Sequence, residues 1–339
     1  MKTITAFLLI CATAALTAAN VPMPAQVVRS DNGASIDNAM VTSETLDGIE
    51  YNIGEGEGAA SSSLKRSLIR VVTYGEVSDI DVAKAKGYAN KNDHERAAQA
   101  FVQAAVSSPY WRSREECLVL AAESFVKANK LDDALKVLAD LEAKTPRSTF
   151  LPRAYGIRVQ VALTKGDRPG AEAAIAALAK FDAIRAVVAK ADMLRGDKKP
   201  ADAAKELKAI WGTSVKAGEL NPGDLDAPNF ETVGFALAAD LANAGDTAGA
   251  NAAYLTLCYS PISRSAQSKA HLTLAASLTA ASDKATLLSA FDHAIMGGAI
   301  PGGDRSGAKK AAFKILEKFD KMPDMKTEAT ECRTYVNAL

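Results

Sequence analysis

The chain is predicted to be mainly α, a solenoid of about six helical hairpins behind a small β-rich unit. Three observations predict this. A spaced set of large and small apolar residues recurs at a constant interval, polar turn signals split each recurrence into two helical runs, and the segment before them alternates with the period of strands.

Residues 1–19 form an apolar start: Lys2 supplies a positive charge, 6–16 an apolar run, and Thr17, Ala18 and Ala19 a small-residue exit. This is the grammar of a secretory signal peptide with cleavage after Ala19. Cys11 follows Ile10 inside the apolar run, which argues against lipidation, since acylation needs a small residue before the cysteine. No other stretch approaches the roughly 20 apolar residues of a membrane span. The mature chain is therefore expected to be exported, periplasmic or secreted, with no transmembrane segment. Its 40 basic residues balance 40 acidic ones. That balance gives no reason to expect a nucleic-acid partner or an electrostatic hold on a membrane.

Residues 25–75 read as a β-rich unit. Runs at 26–30, 35–43, 49–53 and 68–74 are β-prone, with turn signals at Asp31, Asn32, Gly33 and at Asp47, Gly48. The stretch 54–63, rich in glycine, alanine and serine, is expected to be a flexible loop. Four or five short strands suggest a small twisted sheet or an SH3-like barrel. So small a unit is marginal alone and is expected to pack on the first helical repeat, either capping the solenoid or serving as a separate binding module.

From residue 78 the pattern turns helical. Tyr88 is followed at offsets 9, 13, 16 and 21 by Ala97, Phe101, Ala104 and Pro109, and Phe125 at the same offsets by Ala134, Leu138, Leu141 and Pro146. The large residue closes a first helix, and the alanine lets a second helix approach closely. The next two positions continue the buried stripe, and proline ends the unit. The period is 37 residues, and one more period leads to Ala171, with Ile175 and Leu178 behind the turn Gly166, Asp167. This skeleton resembles the tetratricopeptide repeat, whose usual period is about 34 residues, in its exported bacterial form.

A fourth pair is read at 184–194 and 201–211 with Ala203 in the alanine position, 32 residues after Ala171. Residues 212–229, with three glycines and two prolines, are expected to be a long loop. The grammar returns with Leu241, Ala250, Tyr254, Leu257 and Pro261, then with Leu278, Leu287, Phe291 and Ala294. Residues 297–303 break the chain, and 304–319 with 326–339 read as closing helices in a solenoid extending from 78 to 339.

Chemistry is sparse. The histidines are His94, in an interhelix turn, and His271 and His293, among alanines and leucines, and all three are expected to be surface or satisfied core residues. No HExxH, CxxC, GxSxG or phosphate-loop pattern accompanies them, so no catalytic residue, metal or cofactor is expected. Cys117 and Cys258 fall on apolar stripes as small core residues. A Cys258–Cys332 disulfide is open in an oxidising compartment, as is a Cys258, His271 dyad, although no spacing favours either.

The resemblance implies that first helices line the inner, concave side. It places Lys86, Glu123 and Gln160 in one row and Asn90, Lys127 and Thr164 in another, with Lys130 and Arg153 nearby. Mixed charge among small neighbours suits an extended peptide. The implied function is a non-catalytic scaffold or adaptor for other proteins or peptides of the bacterial envelope. An alternative puts glycan or peptide binding in the β-rich unit with the solenoid as spacer, and a remote one is a Cys258-dependent hydrolase.

Overall fold

The computed structural model describes residues 21–54, 59–216, 219–220 and 227–339. The signal-peptide reading of 1–19 lies outside them. Strands β1 (Met23–Arg29), β2 (Ser35–Thr45), β3 (Gly48–Ile53), β4 (Ala60–Lys65) and β5 (Ile69–Tyr74) precede the helices. These are α1 (Ile80–Asn90), α2 (His94–Ser107), α3 (Trp111–Lys127), α4 (Leu131–Lys144), α5 (Leu151–Lys165), α6 (Arg168–Leu178), α7 (Ala183–Gly196) and α8 (Pro200–Ser214). A two-stranded hairpin follows, β6 (Val215–Lys216) and β7 (Glu219–Leu220). Then come α9 (Ala227–Asn243), α10 (Thr247–Cys258), α11 (Arg264–Leu278), α12 (Lys284–Ala299), α13 (Arg305–Phe319) and α14 (Lys326–Ala338). Two compact units divide at Lys165/Gly166.

In the first unit the five strands make one antiparallel sheet in the order β4-β3-β2-β1-β5. It is open, since β4 and β5 are edges that do not pair, so the sheet alternative holds over the barrel. The expected loop at 54–63 is corrected in its second half: β4 pairs with β3 from Ala60 to Lys65, a serine-rich edge the composition disguised. One face of the sheet buries Val27, Val41, Ile49, Tyr51 and Leu64 against Trp111 at the start of α3. The sheet thus docks on the second hairpin and not, as expected, on the first. Backbone bonds from Leu46 N–H to the Arg147 carbonyl (3.0 Å) and from Val21 N–H to the Pro109 carbonyl (3.3 Å) fasten it.

The hairpins share one turn. In the first, Asn92 is left-handed (φ 59°), its N–H donates to Ala89, and the next N–H, of Asp93, donates to Tyr88. This closing motif satisfies carbonyls that the helix end orphans. It recurs at Asn129, Lys198 and Gly245, where the terminal acceptors are Phe125, Leu194 and Leu241. Gly166 is left-handed at the corresponding place (φ 70°). Five residues beyond each lies the close-approach alanine: Ala97, Ala134, Ala171, Ala203 and Ala250, all at most 2 % exposed. The large apolar residue of the repeat therefore accepts the outermost bond of the turn. Its side chain and its carbonyl both help close the turn.

Aspartate starts many second helices. Asp93, Asp167, Asp246 and Asp283 each accept from the backbone N–H three residues on, and Asp182 and Asp304 do so ahead of the first helices α7 and α13. Such caps contribute about 1 kcal/mol apiece.

Within the second unit, the expected loop at 212–229 is shortened from both sides. Helix α8 runs to Ser214, α9 starts at Ala227, and Val215 pairs with Leu220 between them. Helix α12 continues through Gly297 and Gly298 to Ala299, so the break expected at 297 comes three residues later. Both glycines are buried where a Cβ would strike Leu272 or Ala308, and close packing explains them better than flexibility. Among the described residues no helix is long and apolar enough to cross a membrane.

Candidate functional site

Two sets of residues carry the functional argument, one in each unit. In the first unit, α1 touches α3 and α3 touches α5. The first helices of this unit therefore form one row. Lys86 and Asn90 on α1, Lys127 on α3 and Gln160 on α5 are exposed, and among the described residues none of these side chains makes an ion pair or hydrogen bond.

Glu123 and Arg153 are not free. They form a two-pronged pair between α3 and α5, with Nε to Oε1 at 2.6 Å and the terminal amine to Oε2 at 2.7 Å. The hydrogen bonds it donates to Glu123 hold the Arg153 guanidinium above its ordinary pKa. Lys130 stands off this row. It lies at the turn before α4 and pairs with Glu95 at 3.2 Å. Thr164 turns its hydroxyl back onto the Gln160 carbonyl (2.8 Å). Gly156, between Arg153 and Gln160, would place a Cβ with nothing within 4 Å, which leaves the α5 backbone bare on one side.

The β-rich unit is clamped by Glu44, 8 % exposed. Its carboxylate accepts from Arg66 (3.1 Å), Arg112 (2.8 Å) and the Tyr74 hydroxyl (2.8 Å), and the Arg112 guanidinium lies 4.4 Å from the Tyr74 ring centre. Burial beside that carboxylate pushes the Tyr74 phenol well above its usual range.

The second unit holds what the linear spacing concealed. Cys258, at the end of α10, His271 on α11 and His293 on α12 are 3 %, 2 % and 6 % exposed, and their ligand atoms all lie within 4.8 Å of one another. The two Nδ1 atoms are 2.8 Å apart, so one ring donates its N–H to the other. Burial lowers the His271 pKa to about 4, with the neighbouring ring adding to the effect, and burial likewise lowers that of His293. Burial pushes the Cys258 thiol up to about 12. A catalytic cysteine needs a depressed pKa and access, and Cys258 has neither. The three neutral groups have the character of ligands.

His271 and His293 are satisfied core histidines, as expected, and the structure adds that each is the other's partner. His271 lies seven residues before the end of α11 and His293 nine after the start of α12. That is about two turns from the shared hairpin on both sides, so antiparallel packing brings them level. The pattern was readable only with the helix ends in hand. The Cys258–Cys332 disulfide is not formed: all three described cysteines are free, and Cys332 packs in the C-terminal core with Phe319, Ala329 and Val336. His94 stands apart at the start of α2.

The fold these features define is a tetratricopeptide-like series of helical hairpins, with the turn and the close-approach alanine in register. No family model matches the chain, and no curated protein matches its sequence. Among solved structures it is similar to Pseudomonas aeruginosa pilF, at 13 % identity over 65 % of this chain and 96 % of that one, with a TM-score of 0.40. It is also similar to the nearly identical TPR-like repeats of a kinesin light chain from Podospora anserina (14 % identity, 52 % and 90 % covered, TM-score 0.38). A tetratricopeptide repeat protein of Parabacteroides merdae is a third (12 % identity, 76 % and 97 % covered, TM-score 0.36).

Proposed function

We propose that the chain is a non-catalytic scaffold of the bacterial cell envelope that binds an extended peptide along the first helices of its N-terminal unit. The observation that carries this reading is the row of Lys86, Asn90, Lys127 and Gln160. These are exposed groups with no side-chain partner among the described residues, carried by the three first helices of this unit, the last of which has its backbone bare at Gly156. Glu123 and Arg153 neutralise each other there, which leaves Lys86 and Lys127 as the cations of the row. It suits a peptide carrying carboxylates, with backbone groups meeting Asn90 and Gln160. The apolar start of 1–19 supports export, and the mature N-terminus is then Asn20.

Cross-linking capture from the native envelope fraction tests both parts. The full chain should recover a reproducible protein partner, and Lys86→Glu with Lys127→Glu should lose it, while Lys130→Glu, off the row, should keep it. Retention in the double variant, or no reproducible partner, overturns the reading. Mass analysis of the exported chain should find Asn20 first, and an uncleaved chain would contradict export by this signal.

A further inference from the structure

We propose that Cys258, His271 and His293 form a three-donor site for a thiophilic metal ion, best suited to Cu(I). The argument starts with placement. Three consecutive helices of the hairpin array each send one soft or borderline donor to a single point in an otherwise apolar core, where Leu257, Ala270 and Leu274 are neighbours. Polar groups so deeply buried need partners. The histidine pair satisfies one nitrogen of each ring and leaves the thiol beside them.

The distances suit an ion after a small adjustment. Bonds of about 2.0–2.3 Å to nitrogen and sulfur require donors separated by about 3.3–3.8 Å. The present Nδ1 pair at 2.8 Å would open slightly, and Cys258 would close from within 4.8 Å. Both movements are side-chain adjustments of about 1 Å or less on rigid helices.

Charge chooses the ion. On binding, the thiol releases its proton to water and becomes a thiolate, so the donor set carries one negative charge with two neutral rings. A monovalent ion makes the site neutral, and a divalent ion leaves a positive charge in an apolar core, which is costly. Thiolate and imidazole in a three-donor set also fit the soft cuprous ion.

The surface above the site agrees. Tyr259, directly after Cys258, is exposed and meets the His271 ring edge-on with centroids 5.6 Å apart. Its hydroxyl lies 4.0 Å from the thioether of Met296, itself 39 % exposed and one turn beyond His293. A soft thioether therefore lies on the surface one turn from a buried donor.

The test uses the full chain, reduced with a non-thiol reductant under anaerobic conditions and titrated with Cu(I) or Zn(II) against chromophoric chelators. The expected result is one Cu(I) per chain, held more tightly than Zn(II). Cys258→Ser and His293→Gln should abolish that equivalent, and Cys117→Ala and Cys332→Ala should keep it, with circular dichroism checking the fold. X-ray absorption on the copper-loaded parent needs no variant and should show one sulfur and two imidazole nitrogens. Failure to compete for Cu(I), retention in either site variant, a preference for Zn(II), or more than one sulfur on the ion overturns the assignment.

Discussion

Gly234→Ala and Gly249→Ala are the same substitution in adjacent helices of one hairpin, and their effects should have opposite signs. Alanine is favoured over glycine within a helix by about 0.8–1.0 kcal/mol, so both variants start with the same gain. At Gly234 the new Cβ would lie 2.3 Å from two ring carbons of Trp211 and 2.8 Å from a Leu257 methyl. The indole must retreat by about 1 Å to reach ordinary carbon contact. It cannot do so freely, because it is stacked on Phe230 with centroids 4.0 Å apart. Overpacking costs about 1–3 kcal/mol, and disturbing the stack about 0.5–1.5 kcal/mol. The net is a destabilisation of about 1–3 kcal/mol.

At Gly249 the clash is with the capping carboxylate of Asp246, 2.4 Å away. That group can rotate. Asp93 has nearly the same backbone angles and caps ahead of Arg96, a residue with a Cβ, through a longer bond of 3.4 Å against 2.8 Å. Gly249→Ala should therefore keep a weaker cap and gain up to about 0.5 kcal/mol. Thermal melting followed by far-ultraviolet circular dichroism reads the difference. For Gly234→Ala the midpoint should fall by several degrees, at about 2–4 °C per kcal/mol for a unit of this size, and for Gly249→Ala it should stay level or rise slightly. A Gly234→Ala midpoint at or above that of the parent would refute the packing argument. A fall in both would refute the distinction between ring and carboxylate.

Lys198→Asn should raise the midpoint. Lys198 is an exposed residue held at φ 60° where the other turns place Asn or Gly, and the left-handed backbone costs an ordinary residue about 1–2 kcal/mol. Glu44→Ala should cost roughly 2–3 kcal/mol, less than a fully buried pair because Arg66 is half exposed. Limited proteolysis should then cut the β-rich unit before the helices. Glu115 is half-buried and accepts from Ser148 at 2.5 Å, and its partial burial raises its pKa above 4.5. The folded state therefore keeps a proton that the unfolded state has lost, and ionisation of Glu115 at neutral pH weakens the fold. The parent should gain stability relative to Glu115→Gln as pH falls from neutral toward about 4.5, as read by urea midpoints. A constant difference would place Glu115 in water.

The hairpin array was legible because the repeat writes its turn chemistry and its close contact into fixed places. Tyr88, Phe125 and Leu241 were recognised as large residues ending first helices, and the structure adds that their carbonyls anchor the left-handed turn. The slip from 37 to 32 residues at Ala203 was visible too, and Lys198 keeps its place five residues ahead despite being neither Asn nor Gly. Strand β4 was hidden because its serines lack β propensity, and it exists through pairing with β3. The facing histidines were hidden for another reason. Cys258, His271 and His293 are separated by 13 and 22 residues, spacings that mean nothing until the ends of α11 and α12 are known. Of the first-helix residues, Lys86, Asn90, Lys127 and Gln160 are exposed, whereas Arg153 and Glu123 engage each other, a pairing that requires α3 and α5 to be neighbours.

The chain has two tryptophans. Trp111 lies under the sheet of the first unit, with its ring N–H 3.4 Å from the Val41 carbonyl, and Trp211 is stacked on Phe230 in the second. Each compact unit therefore contains its own optical reporter in a distinct surrounding, one beside a carbonyl and a tyrosine, the other against a phenyl ring. Replacing either by phenylalanine leaves emission from the other half alone. Two such single-tryptophan chains, unfolded side by side in denaturant, would show whether the halves lose structure together or whether cooperativity ends at the Lys165–Gly166 junction.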